Sequence, residues 1–406
     1  MTKNRIREIK TNKNIMRIQI NLKKLAYTIN STMNLCIGVT VALSFFGCSS
    51  NDNNSSGNLM EATDSVGKPA RADSIKEQKK DNLKLAMVGD IMMGTTYPEG
   101  GTNLTADDGA TLFQDAKEIL KRVDVAAGNL EGCLFDGEGK LKPRNHAYRF
   151  FAFKMPERYG KHLVDAGFDF VSIANNHIND FGPEALAATQ RVLQESGIAY
   201  AGLTDTHPTA ILERNGRKIG FTAFGFDDRM PYINNFEQID SIISRLKGQC
   251  DFVVVSFHGG GEGAGYQHVP HKKEITSKDR GDVEKFAHAA VNAGADVVYG
   301  HSPHVPRALE LYNDRIIFYS LGNFCTPHMF NLEGVCGYAP LAEVMLNADG
   351  SFASGRIHSF VQTRGVGPRL DSTNRAARKM RELTKADFPT TPLNISDDGE
   401  ITVKNK

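Results

Sequence analysis

The chain has 406 residues, of which 40% are hydrophobic, 23% charged and 8% aromatic. This ordinary globular composition excludes a wholly disordered or fibrous protein and leaves room for one large or two modest domains. Residues 1–48 hold eight basic residues and one acidic residue, +7, so the overall +1 leaves −6 for the remainder; a mildly acidic body argues against nucleic acid as a partner, because nonspecific binding needs a basic face to neutralise phosphates.

The basic prefix runs into an apolar stretch, Leu35 to Phe46, closed by Gly47-Cys48. That stretch is too short for a permanent membrane-spanning helix. A basic start, a short apolar run and a small residue match a secretory signal. A cysteine directly after the small residue resembles the lipobox of bacterial lipoproteins. The resemblance implies lipidation at Cys48 and a membrane-anchored body in the cell envelope, facing outside the cytoplasm. An uncleaved signal anchor is the alternative and gives the same location. Residues 49–82 hold few large apolar side chains and read as a flexible tether. The folded domain is expected over 83–362, with 363–406 as a C-terminal tail. Beyond Cys36 and Cys48 the cysteines are Cys133, Cys250, Cys325 and Cys336, with no CxxC pair, so a zinc ribbon is excluded. Cys325 and Cys336 could pair in an oxidising compartment; four buried free thiols are the alternative.

Within the body, 84–88 reads as a short apolar strand. The spacing of Leu112, Phe113, Ala116, Ile119 and Leu120 predicts a helix over 111–121. Strands are predicted at 123–127 and 168–174, helices at 160–166 and from Pro183 to about Ser196, where Gly197 is a stop signal. Asn215-Gly216 marks a hairpin between 211–213 and 218–224. Helices at 237–247 and 282–293 precede strands at 252–257 and 296–299. Two further hairpins turn at Asn313-Asp314 and Asp349-Gly350. Strand–helix alternation followed by hairpins predicts an α/β fold with mixed sheets.

Polar residues collect where these strands end. Asp90, Glu131, Asn176-His177, His258 and His301 each follow an apolar strand closely. In α/β sheets the carboxyl ends of the strands form the ligand crevice. Carboxylate, amide and imidazole groups without thiolate are donors for a divalent metal. One strand-end Asp alone reads as a turn former or cap; six such residues from five strand ends on one rim read as a site. Arg144, Arg149 and Lys154 lie in a loop-like stretch, 142–156, and are candidates for contact with an anionic polymer; a solvated charged loop is the plainer reading.

Four stretches carry a resemblance: Val88-Gly89-Asp90-Ile91-Met92-Met93-Gly94, Gly128-Asn129-Leu130-Glu131, Ala174-Asn175-Asn176-His177 with Asp180-Phe181-Gly182, and Gly300-His301-Ser302-Pro303-His304-Val305. With Ile316–Phe324 they resemble the bacterial capsule-synthesis CapA family, associated with poly-γ-glutamate, over about residues 83–362. That family resembles the calcineurin-like metallophosphoesterases, which implies a four-layer α-β-β-α sandwich with two mixed sheets inside. The resemblance implies metal ligation by Asp90, Glu131, Asn176, His258, His301 and His304, and a proton-donating His177. It implies one or two divalent ions per chain, with Mn, Zn or Fe as candidates. Three positions depart from the phosphoesterase pattern: Met92 stands where a His is usual, two residues separate His301 from His304 instead of one, and His258 is followed by Gly259-Gly260. These departures suggest one firm and one weak metal. Two functions fit: a surface-anchored, metal-dependent hydrolase or transferase acting on an anionic polymer, a peptide γ-linkage or a phosphoester, or a noncatalytic assembly or export component of the capsule machinery.

Overall fold

The computed structural model describes residues 82–99, 103–143 and 150–404. The lipidation candidate Cys48, the tether, Arg144 and Arg149 lie outside the described residues.

The first half of the domain runs β1 (Leu83–Ile91), α1 (Lys117–Lys121), β2 (Val125–Leu130), β3 (Cys133–Leu134), β4 (Lys154–Met155), α2 (Gly160–Ala166), β5 (Phe170–Ser172), α3 (Gly182–Glu195) and β6 (Ala199–Ala201). It continues with the hairpin β7 (Thr209–Arg214) and β8 (Arg217–Phe224), then α4 (Phe236–Lys247), β9 (Phe252–His258), α5 (Val283–Asn292) and β10 (Val297–His301). The final part holds β11 (Leu309–Tyr312), β12 (Arg315–Phe318), β13 (Asn323–Cys325), β14 (Tyr338–Leu346), β15 (Phe352–Thr363), β16 (Gly367–Leu370), α6 (Arg375–Asp387), β17 (Leu393–Ile395) and β18 (Glu400–Val403).

Two sheets organise these strands. The larger has the order β17-β18-β15-β14-β1-β2-β5-β6, with β13 beside β1 and β16 beside β15; the smaller has the order β11-β12-β10-β9-β8-β7. Strands β1, β2, β5 and β6 run parallel, as do β8, β9, β10 and β12, while the hairpin strands are antiparallel. The mixed α/β expectation therefore holds.

Alternation along each strand builds the layers. In β1, Leu85 and Met87 join Phe221, Phe252, Val254 and Tyr299 of the smaller sheet in one core between the sheets. Phe170 and Phe221 stack across that core with ring centroids 4.3 Å apart. The alternate residues Ala86 and Val88 pack with Leu120, Leu163 and Val192 of α1–α3. On the smaller sheet, Val253, Val255 and Phe257 face Ile239, Ile243 and Phe286 of α4 and α5. Strands covered on both faces carry continuous apolar runs, as β9 does. Truncating a core ring such as Phe221 is expected to cost about 3–5 kcal/mol.

Local chemistry sets the helix ends. Asn235 and Asp282 cap α4 and α5 by accepting from the backbone N–H groups of Gln238 and Lys285. Gly167 ends α2 in the left-handed region, φ 96°, where a Cβ would be strained. The helix expected over 111–121 is shorter than its apolar pattern. Residues 106–116 form turns with bonds such as Leu112 N–H to Gly109 C=O, and only 117–121 is helical, although Leu112, Phe113 and Ala116 are buried as expected.

The expected tail at 363–406 is corrected. Residue 363 closes β15, and the chain then adds β16, α6, β17 and β18 to the same compact unit. Ala377 and Met380 of α6 and Ile401 of β18 complete the core between the sheets. Among the described residues, no helix is long and apolar enough to cross a membrane, and Cys133, Cys250, Cys325 and Cys336 are free, buried thiols.

Candidate functional site

The parallel strands deliver their carboxyl ends to one rim. Asp90 of β1 lies in register with Asn129 of β2, and His258 of β9 with His301 of β10. Asn176 follows β5 and reaches the other sheet, its Oδ1 lying 2.8 Å from His258 Nε2.

Asp90, Glu131 and His304 form the tightest group, with one donor atom from each within 4.8 Å of the others. His304 Nδ1 lies 2.9 Å from Asp90 Oδ2, and His304 Nε2 lies 3.9 Å from Glu131 Oε1. Asn129 Nδ2 donates to Asp90 Oδ1 at 2.8 Å. The His304 ring reaches this group through backbone in the left-handed region: φ is 99° at Ser302 and 57° at His304. Such conformations cost of order 1–3 kcal/mol each and persist where surrounding contacts impose them. Asn323 supplies such contacts, with Oδ1 3.1 Å from His304 Nδ1 and Nδ2 donating to the His304 carbonyl.

Several buried polar atoms at this rim lack partners. Both Glu131 oxygens are buried with no hydrogen-bond partner, as are His258 Nδ1 and His301 Nδ1. Burial and the charge of Asp90 push the Glu131 carboxyl well above its usual range. Burial opposes charge on His304, but Glu131 and Asp90 outweigh it and push the imidazole up to about 10. His258 is pushed well down by burial and by Arg280. Burial also drops His301 to about 4, against the pull of Asp90; its Nε2 lies 2.8 Å from Ser256 Oγ. Buried carboxylate oxygens and imidazole nitrogens without partners are donor types that a divalent ion takes, and among the described residues the metal-type cluster within 4.8 Å is Asp90, Glu131 and His304, without His258 or His301.

His177 stands apart from this group. Its Nδ1 lies 2.7 Å from Asp180 Oδ2, which also accepts from Phe153 N–H at 2.8 Å. Lys142 Nζ lies 2.5 Å from Asp180 Oδ1. Burial lowers the His177 pKa, while Asp180 opposes that shift.

An apolar wall joins the two parts. The Phe153 ring lies 4.2 Å from the His177 ring and 5.1 Å from Phe330, which lies 5.1 Å from His304. Met92 is fully buried in this cluster. The place that holds a His in the phosphoesterase pattern is therefore part of a dry wall.

Lys154 needs correction as a loop residue. It forms β4, is buried, and its Nζ donates to the Gly137 carbonyl at 3.0 Å and lies over the Phe181 ring. Sequence reasoning passed over Asn129, Asn175, Asn323 and Asp180 as site residues. Asn175 Nδ2 donates to Asn129 Oδ1 and to the Leu130 carbonyl, tying two strand ends together. Each lies inside a motif quoted above, and that is the signal that could have found them.

A family described as bacterial capsule synthesis protein PGA_cap matches residues 84–328. The chain is 30% identical over 268 residues to the capsule biosynthesis protein CapA of Bacillus anthracis, covering 62% of this chain and 61% of that one. It is 32% identical over 270 residues to the PGA biosynthesis protein CapA of Bacillus subtilis, covering 63% and 66%. The matches thus span less than two thirds of either relative. A probable polyglutamine synthesis accessory protein of Mycobacterium tuberculosis is 29% identical over 192 residues, covering 41% and 46%. Among solved structures, a 5′-nucleotidase precursor from Thermus thermophilus aligns with a TM-score of 0.41 at 12% identity, covering 71% of this chain and 56% of that one. A purple acid phosphatase from yellow lupin aligns with a TM-score of 0.36 at 10% identity, covering 71% and 52%.

Proposed function

The chain belongs to the bacterial capsule synthesis protein PGA_cap family, and from that membership we propose that it is a cell-envelope component of capsular or poly-γ-glutamate polymer synthesis with a metal-dependent, hydrolase-type site. The names of the two Bacillus relatives support the polymer context. The site reading is carried by Glu131, a buried carboxylate with both oxygens unpartnered beside Asp90 and His304.

Asp90, Glu131 and His304 would hold one divalent ion, and Asn176, His258 and His301 are donors for a second. A bound ion lowers the pKa of its water from ~15.7 to about 7 and polarises the attacked oxygen. The chain's own residues supply the proton. His177 commits Nδ1 to Asp180, which leaves Nε2 to exchange a proton with the leaving atom. Asp180 fixes the ring's orientation and favours its charged form, and Lys142 balances the carboxylate. Phe153 and Phe330 keep one side of the space dry, which strengthens every charge interaction inside it. Arg144 and Arg149 remain candidates for holding an anionic polymer or phosphoester. Lys154 Nζ is already engaged by Gly137. Lipidation at Cys48 would anchor the protein to a membrane of the cell envelope, facing outside the cytoplasm.

Met92 favours a second reading. An apolar residue in place of a ligand fits an assembly or export component that keeps its metal for structure. Metal analysis of protein lacking residues 1–48, followed by assays on phosphodiesters and poly-γ-glutamate with Asp90→Asn and His177→Ala, separates the two. Bound metal with turnover lost in both variants supports the hydrolase. Absence of wild-type turnover under every divalent metal leaves the assembly role.

A further inference from the structure

Arg280 borders the rim cluster, with its side chain 6% exposed. Its Nε donates to the Gly260 carbonyl at 2.6 Å, and Nη2 reaches both Ser302 Oγ and Glu262 Oε1 at 2.5 Å. Ser302 sits between His301 and His304 on the loop that carries both rings. The guanidinium also lies 4.3 Å from the centroid of Phe226, whose ring packs 5.7 Å from that of His258. Glu262 shares this neighbourhood, since its charge bears on both Glu131 and His304.

The Arg280–Glu262 pair is asymmetric. The Glu262 side chain is 42% exposed, so it regains water readily when it lets go. Arg280 has almost no access to water and needs an oxyanion at all times. The backbone on both sides of Glu262 is pinned: Gly260 N–H donates to the Arg280 carbonyl and Gly263 N–H to the Pro303 carbonyl, each at 2.9 Å. Both glycines have φ in the left-handed region, 87° and 95°. The Glu262 side chain can therefore swing out while its loop keeps its place.

We propose that Arg280 is the substrate-binding residue for a carboxylate, and that Glu262 fills this position until an incoming carboxylate displaces it. Glu262 itself indicates the ligand class. A side-chain carboxylate already lies on Nη2 through one oxygen, with the Ser302 hydroxyl on the same nitrogen and Nε held by the Gly260 carbonyl, and a charge-assisted bond of this kind is one that an incoming carboxylate oxygen can remake. A polymer bearing repeated carboxylates presents the same group. The inference rests on the proposed function only for where the chemistry occurs, because carboxylate binding is read without turnover.

The test is calorimetric titration of the full-length chain with glutarate and, separately, with inorganic phosphate. Arg280→Gln is expected to weaken glutarate binding at least tenfold. Glu262→Gln is expected to strengthen it about three- to tenfold by removing the internal competitor. The double variant should bind like Arg280→Gln alone. Should Arg280→Gln fail to fold, Arg280→Lys, which keeps the charge but loses the guanidinium, replaces it in both the single and the double variant. Glutarate binding that Glu262→Gln leaves unimproved overturns the proposal. An equal gain in the Arg280→Gln background also overturns it, because the effect would then be the loss of a nearby negative charge. Arg280-dependent binding of phosphate without glutarate refutes the ligand class. Intact, Arg280-dependent glutarate binding in a chain that hydrolyses nothing would sink the hydrolase reading and leave this assignment standing.

Discussion

Glu131→Gln should change sign with metal. In the metal-free chain, Glu131 is a carboxyl with both oxygens buried and unpartnered, held above its usual range by burial and by Asp90. A folded-state pKa above the unfolded value means that ionising Glu131 at neutral pH works against folding. A buried unsatisfied polar group costs about 1–3 kcal/mol, and a neutral amide removes the charged part of that cost. Near Tm, each kcal/mol is worth about 2–4 °C in domains of 150–250 residues and less in larger ones. Metal-free Glu131→Gln should therefore melt about 1–5 °C above wild type at pH 7.5. With metal the order should reverse. An ion bound only by the folded state adds about 2.7 kcal/mol at a hundredfold excess over Kd, and wild type should gain it while the variant gains little. The assay is paired calorimetric melting in chelator and in Mn, Zn or Fe(II). A metal-free variant that melts below wild type, or one with an unreduced metal-induced rise, would refute the reasoning.

Three further outcomes are expected. His177→Ala should keep metal content and the fold but lower turnover by about 10²-fold or more, and Asp180→Asn should follow it, both losing less on substrates with acidic leaving groups; steady-state kinetics across a leaving-group series checks this, and lost metal would make His177 a ligand. Glu343 is opposed by burial, but bonds from Arg122, Lys84 and His358 hold its carboxyl down to about 2 against an ordinary 4.5; its stabilisation is present above pH 4.5 and lost as pH falls toward 2, so Glu343→Gln should flatten that part of the acid-unfolding curve by roughly 1–3 kcal/mol. Cys48→Ser should release the protein from membranes on cell fractionation, and unchanged retention with an unlabelled wild type would remove lipid anchoring.

What the sequence made legible was whatever apolar spacing controls. The runs of β9 and β10 and the helix at 160–166 could be read because burial on both faces, or on one stripe, writes a pattern into the chain. The turns at 106–116 bury the same residues as a helix would, so periodicity placed their packing and missed their hydrogen bonds. Helix α6 escaped notice because its buried face begins with small Ala376 and Ala377 among basic residues, which gives little apolar signal. At the site, strand-end residues were visible as a rim. The nearness of His304 to Asp90 and Glu131 was not, because it depends on left-handed backbone at Ser302 and His304, which a non-glycine sequence does not announce. Glu262 and Arg280 were equally hidden, since a Gly-rich loop with one acid reads as solvent-facing until the buried guanidinium beneath it is seen.

Met92 is where the two functional readings can be forced apart. Its side chain is fully buried against Phe153 and Phe330, and those rings pack on His177 and His304. A His at 92 would therefore enter the wall between the proton donor and the Asp90–Glu131–His304 group. Without metal it should destabilise the chain by about 1–3 kcal/mol, because an imidazole would be buried without a partner. With metal, the same imidazole becomes a ligand, the lost stability should return, and bound metal should rise by about one ion per chain. If Met92→His also raises turnover, the natural chain is a hydrolase restrained by an apolar residue at that place. If metal rises while turnover stays absent, ligand count was not what the site lacked, and the assembly role gains. A folded Met92→His chain with unchanged metal content would show that residue 92 does not face the ion, and the structural reading of that departure would fall.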